Sequence, residues 1–267
     1  MISTKIIADS VSSSNVRILT MQLEYPRFIH SELMTHRVFS RNAASSRAIP
    51  VKKMLEQVKN DPAMPVWWGK NQAGMQAREE LEDFEPKHER YSNGMDMDEV
   101  WRYSPRHQAK MAWRAAAASA IEHAEEMERI GVHKQIVNRI LEPWQWMQTI
   151  VTATEWENFY ALRRHPDAQP EFKALAETMW EQTNASTPTV MEFGQWHLPY
   201  VSYDDFYHTK YDHRDNLSIA IKLSVARCAR VSYLTHDMKT PNIEDDLKLY
   251  DRLVGSEPLH ASPAEHQ

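Results

Sequence analysis

Six glycines in 267 residues narrow the fold more than any other property of this chain. They form neither a G-x-G-x-x-G turn nor a G-x-x-x-x-G-K-[ST] loop, so the glycine-built phosphate cradles of Rossmann and P-loop proteins are not expected. A nucleotide bound here would be held by side chains on another architecture. Val16 to Glu24 places Leu19, Met21 and Leu23 on one parity and Ile18, Thr20, Gln22 and Glu24 on the other, the pattern of a half-buried strand. Pro26 suits the first turn of a helix, predicted over residues 26–38 with Phe28, Leu33 and Val38 toward a core. Residues 51–66 read as a short helix and a proline-punctuated loop, and 71–106 as a polar stretch interrupted by Pro86, Gly94 and Pro105. Gln108 to Ile130 is a strong helix, rich in alanine and closed by Gly131. Helices are predicted over 133–141, 155–165 and 170–182, and the Trp144–Thr154 stretch turns β-rich at its end. Strands and helices mix without a βαβ period, so the class is α+β, mixed helices with an antiparallel sheet. One domain over 1–267 is expected, with 51–106 as an insertion or cover.

Net charge is −6, from 31 basic and 37 acidic residues. That balance argues against nucleic acid as a partner, because neutralising a phosphate backbone calls for a basic face. Cys228 is the sole cysteine, so neither an intramolecular disulfide nor a cysteine-rich zinc site is available. The N-terminal residues lack the basic and apolar regions of a secretory signal. No apolar run approaches the ~18 residues of a membrane span. A cytoplasmic protein without a membrane partner is the expectation.

The run Thr35 to Arg47, THRVFSRNAASSR, concentrates His36, Arg37, Ser40, Asn42, Ser45, Ser46 and Arg47. An amphipathic core element has no use for that composition. Guanidinium, hydroxyl, imidazole and amide groups together suit an anionic ligand rich in hydrogen-bonding atoms, such as a nucleotide phosphate with its sugar.

This run resembles the RHRxxSxNExSxR signature of flavin-dependent thymidylate synthases. It matches at His36, Arg37, Ser40, Asn42, Ser45 and Arg47, and departs at Thr35, where the family has Arg, and at Ala43, where it has Glu. Asn138-Arg139-Ile-Leu-Glu-Pro143 resembles the family's AR-(I/V)-x-L-P, Asn158-Phe-Tyr-Ala-Leu-Arg163 its NF-x-x-LR, and Ala168-Gln169-Pro-Glu171 its AQ-x-E. The family's Asn-Ala-Arg-Ser flavin contact has no equivalent at Thr154–Glu157. A third element, resembling AxRVSY and H-x-(S/T)-P-x-EH, precedes the signature in the family. Here it follows it, as Ala229-Arg230-Val231-Ser232-Tyr233 and His260-Ala-Ser262-Pro263-Ala-Glu265-His266. That rotated order resembles a circular permutation, and a chain ending just after a motif suggests further native sequence beyond Gln267.

The resemblance implies a thymidylate synthase-complementing fold and one-carbon transfer from methylenetetrahydrofolate to C5 of a deoxypyrimidine monophosphate, as in dUMP to dTMP. FAD is the implied cofactor, NADPH and methylenetetrahydrofolate the co-substrates, and a homotetramer the implied assembly. Arg163 is the implied catalytic residue, polarising the pyrimidine, with Arg164 beside it as its rival. Ser45, Ser46, Arg47, Arg139 and Arg164 are the substrate-binding candidates. His36, Arg37, Asn42, Asn158, His260 and Ser262 are the flavin candidates. The two departures remove one cation and one anion, and Glu32 stands one turn before His36, where the family tends to have Gln. Together they suggest an altered base or cofactor environment: dCMP as acceptor, a hydroxymethyl product, or a nucleotide- and flavin-binding relative without turnover. His197, His208, Asp212 and His213 raise the alternative of a metal, but no HExxH or facial-triad spacing accompanies them, and an aromatic surface or subunit contact is the simpler reading.

Overall fold

The computed structural model describes residues 1–92, 97–206, 216–232 and 242–267. Its strands are β1 (Ser3–Ser12), β2 (Arg17–Pro26), β3 (Ser40–Ala43), β4 (Lys87–Ser92), β5 (Met97–Arg102), β6 (Trp146–Ala153) and β7 (Thr189–Met191). Its helices are α1 (His30–Leu33), α2 (Val51–Asn60), α3 (Pro105–Arg129), α4 (Lys134–Val137), α5 (Glu157–Arg163), α6 (Pro170–Ala185), α7 (Tyr203–Phe206), α8 (Asn216–Ala229) and α9 (Ile243–Val254). The main sheet runs β3-β6-β2-β1-β7, antiparallel at every step except the parallel pairing of β1 with β7. This is the α+β class, and the run that begins at Thr35 supplies an edge strand, β3.

The parity of β2 sets the two faces of the sheet. Leu19, Met21, Leu23 and Tyr25 are fully buried, with Val151 and Ala153 of β6, against Phe172, Leu175 and Met179 of α6 and Phe159 of α5. Burying each such side chain contributes ~1.5–3 kcal/mol, so this layer is the main source of stability. The opposite parity does not face water. Thr20 and Thr152 are buried under α8, a 3-10 turn at Ser262–Glu265 and the segment around His197. Their hydroxyls are 2.7 Å apart. His197 bridges Ser10 Oγ at 2.9 Å and Thr20 Oγ1 at 2.8 Å, while His266 Nδ1 lies 2.8 Å from Thr152 Oγ1. Polar strand positions here satisfy one another, and the line of hydrogen bonds pins the C-terminal turn to the sheet.

Buried charge ties α7, α8 and α9 together. Arg227 pairs with Asp205 at 2.6 Å and with Asp246 at 2.9 Å, and Arg230 reaches the other oxygen of Asp246 at 2.5 Å. A second apolar cluster joins α2, α3, α4 and the following 3-10 segment, Asn138–Trp144, through Met54, Leu55, Val58, Ala117, Val137 and Leu141. Ser104 caps α3, and Gly131 follows its end with φ 86°.

Two expectations are corrected. The helix foreseen over 26–38 is a 3-10 turn, Arg27–Ile29, followed by the single turn of α1. Side chains satisfy carbonyls at its end and just beyond it: Thr35 Oγ1 donates to Glu32 O at 2.7 Å, and Arg41 Nη1 donates to Met34 O at 2.7 Å and His36 O at 3.0 Å. Leu33 is buried as foreseen, whereas Val38 is 60% exposed. The polar stretch 71–106 carries the antiparallel hairpin β4–β5, which its charged sequence concealed.

Candidate functional site

The chain segments that carry the matched motifs meet along β3. At its entry, Arg163 at the end of α5 donates Nε–H to His36 Nε2 at 2.9 Å and Nη2–H to Thr35 Oγ1 at 3.4 Å. Its guanidinium also lies over the Phe172 ring, 4.5 Å from the centroid. His36 is itself wedged among Phe39, Phe159 and Phe172, with ring centroids 5.0 to 5.7 Å away. Burial, then the neighbouring Arg163 and Arg41 cations, lower its pKa to about 4. The ring is therefore neutral near pH 7, with an unprotonated Nε2 able to accept from Arg163. Glu32 completes this cluster: its Oε2 stands 3.9 Å from Arg163 Nη1, beyond hydrogen-bond reach. Burial raises the Glu32 carboxyl above its ordinary range, Arg163 opposes the shift, and Glu171 adds to it.

Neighbouring residues on α5 diverge. Arg164 points away from this cluster, donating Nε–H to Glu177 at 2.8 Å and lying 3.8 Å over the Trp180 ring. Arg163 is thus brought to the signature and Arg164 is not. Gln169 and Glu171 serve the start of α6. Gln169 Oε1 accepts from Phe172 N at 2.8 Å, and Glu171 accepts from Val66 N at 2.7 Å, which tethers the loop bearing Trp67.

At the exit of β3, Ser46 is buried, Ser45 half-buried and Arg47 exposed. Arg47 has no hydrogen bond or ion pair among the described residues, so its guanidinium is available to an oxyanion. Arg139 is engaged: Nη1 donates to Glu142 Oε1 at 2.8 Å, and the same oxygen accepts from Arg27 at 2.8 Å and Ser46 at 3.5 Å. An anion reaching Arg139 would compete with this carboxylate. Of the two departures from the family pattern, Thr35 precedes β3 and Ala43 is its last residue, so they do not lie together. Thr35 joins Arg163, while Ala43 packs against the apolar core.

Of the flavin candidates, Arg37, Asn158 and His260 are exposed. Asn42 donates Nδ2–H to Cys228 O at 2.6 Å, joining β3 to α8. Ser262 begins the 3-10 turn that packs against β3, so the C-terminal motif and the signature are spatial neighbours. Arg230 and Val231 of the Ala229–Tyr233 match are structural: one is paired with Asp246, the other packed on Ala44, Ile150 and Cys228. Tyr233, His208, Asp212 and His213 lie outside the described residues. A cavity of about 350 Å3 opens nearby between α2 and the polar face, lined by Glu24, Ala44, Lys53, Gln57, Trp146 and Gln148 among others. It includes neither Arg163 nor Arg139, although Ala44 of the signature run and Val231 of the C-terminal match line it.

Sequence reasoning missed Arg41, Arg27 and Glu142. Glu142 was legible in principle, three residues after Arg139, the spacing of a helical ion pair. Arg27 is distant in sequence and had no local signal.

This α+β protein gathers arginines, a neutral histidine and a carboxyl about its edge strand, groups with which side chains could hold a small anionic ligand in place of a glycine-rich loop. The family model described as "Thymidylate synthase complementing protein" matches residues 12–189, more than half of the chain. The chain belongs to that family, and membership supports a nucleotide-modifying enzyme. The crystal structure of the UMP/dUMP methylase PolB from Streptomyces cacaoi bound with 5-Br dUMP aligns with a TM-score of 0.51 at 16% identity, covering 69% of this chain and 90% of that one. The same methylase bound with 5-Br UMP aligns with a TM-score of 0.47 at 16% identity, covering 69% and 89%. At such identity the likeness speaks for the fold. No curated protein matches the chain. Among the described residues no helix is long and apolar enough to cross a membrane.

Proposed function

We propose that this protein transfers a one-carbon unit from methylenetetrahydrofolate to C5 of a deoxypyrimidine monophosphate, with a flavin as cofactor and NADPH as reductant. One observation carries the reading: the α5 arginine, Arg163, is delivered to the Thr35-His36 corner of the signature and fixed there by His36 Nε2 and the Phe172 ring. C5 of a pyrimidine is a weak nucleophile until charge drawn toward the ring heteroatoms is stabilised. A preorganised guanidinium serves that purpose without moving during the reaction. The methylase PolB, a UMP/dUMP methylase by name, shares the fold and lends the nucleotide class further support.

The residues present suit a flavin. Arg37, Asn158 and His260 are exposed, and none has a side-chain partner among the described residues, so their side-chain donors are free for an anionic, hydrogen-bonding group. A bound reduced flavin would supply the hydride equivalent that turns a transferred methylene into a methyl group. The chain's own part is to seat the phosphate, with Arg47, a cation unpaired among the described residues, and to hold the base edge against Arg163. The test is direct. Purified protein with flavin, NADPH and methylenetetrahydrofolate should convert a deoxypyrimidine monophosphate to a product bearing one added carbon. A protein that neither retains flavin nor binds any deoxypyrimidine monophosphate would overturn the reading.

A further inference from the structure

The cluster at the entry of β3 holds a carboxyl, Glu32, beside the Arg163 guanidinium. Glu32 accepts no side-chain hydrogen bond among the described residues; Arg163 Nη1 stands 3.9 Å away as its nearest described cation, and the Glu171 carboxylate adds repulsion. Its side chain is 36% exposed and that of Arg163 is 23% exposed, so both open toward the same space. Arg163 commits Nε to His36 and Nη2 to Thr35, which leaves the Nη1 donors without a hydrogen-bond partner among the described residues. Side by side stand one free acceptor and one free donor, held apart by more than a hydrogen bond.

Charge decides which end of a nucleotide meets this pair. A phosphate dianion would face the Glu32 carboxylate at close range, whereas Arg47 beyond the far end of β3 is exposed, unpaired among the described residues and remote from that carboxylate; Arg37, also exposed at the Glu32 end, is the flavin candidate. The base therefore lies at Glu32 and Arg163, and the phosphate toward Arg47. The two pyrimidines differ at the edge they would present. Cytosine offers an exocyclic N4–H donor at the end of the edge, with the N3 acceptor next to it. Uracil offers its N3–H donor in the middle, flanked by the O4 and O2 carbonyls. A carboxylate accepts naturally from cytosine N4. Over uracil N3–H the same carboxylate would sit against two carbonyl oxygens, and only one of them could be taken by Arg163.

Resting on the proposed function, we infer that Glu32 is a specificity-determining residue and that the acceptor of this protein is a cytosine nucleotide, with Glu32 taking N4–H and Arg163 Nη1 donating to N3. Glu32 also sits where its carboxyl cannot be replaced by Thr35, whose hydroxyl is already turned onto the Glu32 carbonyl.

Equilibrium binding of dCMP and dUMP to the flavin-loaded protein, and to Glu32→Gln, tests this at neutral pH. The wild-type protein should bind dCMP about tenfold or more tighter than dUMP. Glu32→Gln, whose amide can both donate and accept, should narrow or reverse that ratio while melting at the wild-type temperature. The wild-type ratio is decisive even where the variant folds poorly. Equal affinity for the two nucleotides, a preference for dUMP, or an unchanged ratio in folded Glu32→Gln would overturn the inference and leave the proposed function standing. Failure of both nucleotides to bind would instead overturn the proposed function.

Discussion

Two adjacent arginines on α5 show how finely position sorts roles. Arg163 is bonded to His36 and lies over Phe172, whereas Arg164 is bonded to Glu177 and lies over Trp180. Arg163→Ala should lower kcat for the modified nucleotide by ~10²–10³-fold, the usual cost of removing one preorganised donor. Arg164→Ala should leave it within a few-fold, and steady-state kinetics of the two variants side by side checks the pair. Histidine protonation adds a second prediction. His36, His197 and His266 each have a pKa lowered from the ordinary 6.5 to about 4, in every case chiefly by burial. Because folded values lie below unfolded ones, the neutral rings' contribution is complete above ~6.5 and is lost as pH falls through about 4. The thermal midpoint should therefore drop steadily between pH 6.5 and pH 4. A midpoint flat over that window would contradict the assignment of three neutral buried rings. The sequence offered Arg163 and Arg164 as rivals and could not separate them. Successive residues on a helix point about 100° apart, and only the packing of α5 against α6 says which one faces His36.

Among the elements, β2 was the most legible and the segment after it the least. The alternation of Leu19, Met21 and Leu23 announced a strand with a buried face. It could not announce that Thr20 and Gln22 on the other face would be covered too, because the partners, His197, His266 and Tyr200, come from far along the chain. The helix foreseen through residue 38 ends early, and Arg41 satisfies carbonyls just beyond it from outside the helix. Hairpin β4–β5 escaped notice because its charged residues lack the apolar alternation of a half-buried strand. At this level the α8–α9 pair makes a firm prediction. Asp246 is fully buried between Arg227 and Arg230. Asp246→Ala leaves the Arg230 cation without its anion and Arg227 with Asp205 alone, and should cost ~3–5 kcal/mol. Chemical denaturation of wild type and variant measures it. A loss below 1 kcal/mol would show that the network is not holding α9 in place.

For the molecule as a whole, the site is a joint product of segments that are remote in sequence. The signature forms edge strand β3 and the turn before it, α5 brings Arg163, the 3-10 segment brings Arg139, and the C-terminal turn brings Ser262 against β3. Residue chemistry and motif spacing were readable in advance, and so was the α+β class. The sharing of Glu142 by Arg139 and Arg27 was not, and neither was the Glu32 carboxyl standing 3.9 Å from Arg163, since both depend on which side chains the fold brings together. Removal of NADPH or of flavin should abolish product formation, and removal of flavin should also lower the thermal midpoint, because a ligand held by the folded state stabilises it. The decisive measurement is mass analysis of the nucleotide after incubation of flavin-loaded protein with NADPH, methylenetetrahydrofolate and either dCMP or dUMP. One of the two should gain a methyl or hydroxymethyl group at C5, and the Arg163→Ala protein should fail to add it. Two unmodified nucleotides from a folded, flavin-loaded wild-type protein would contradict a one-carbon transferase.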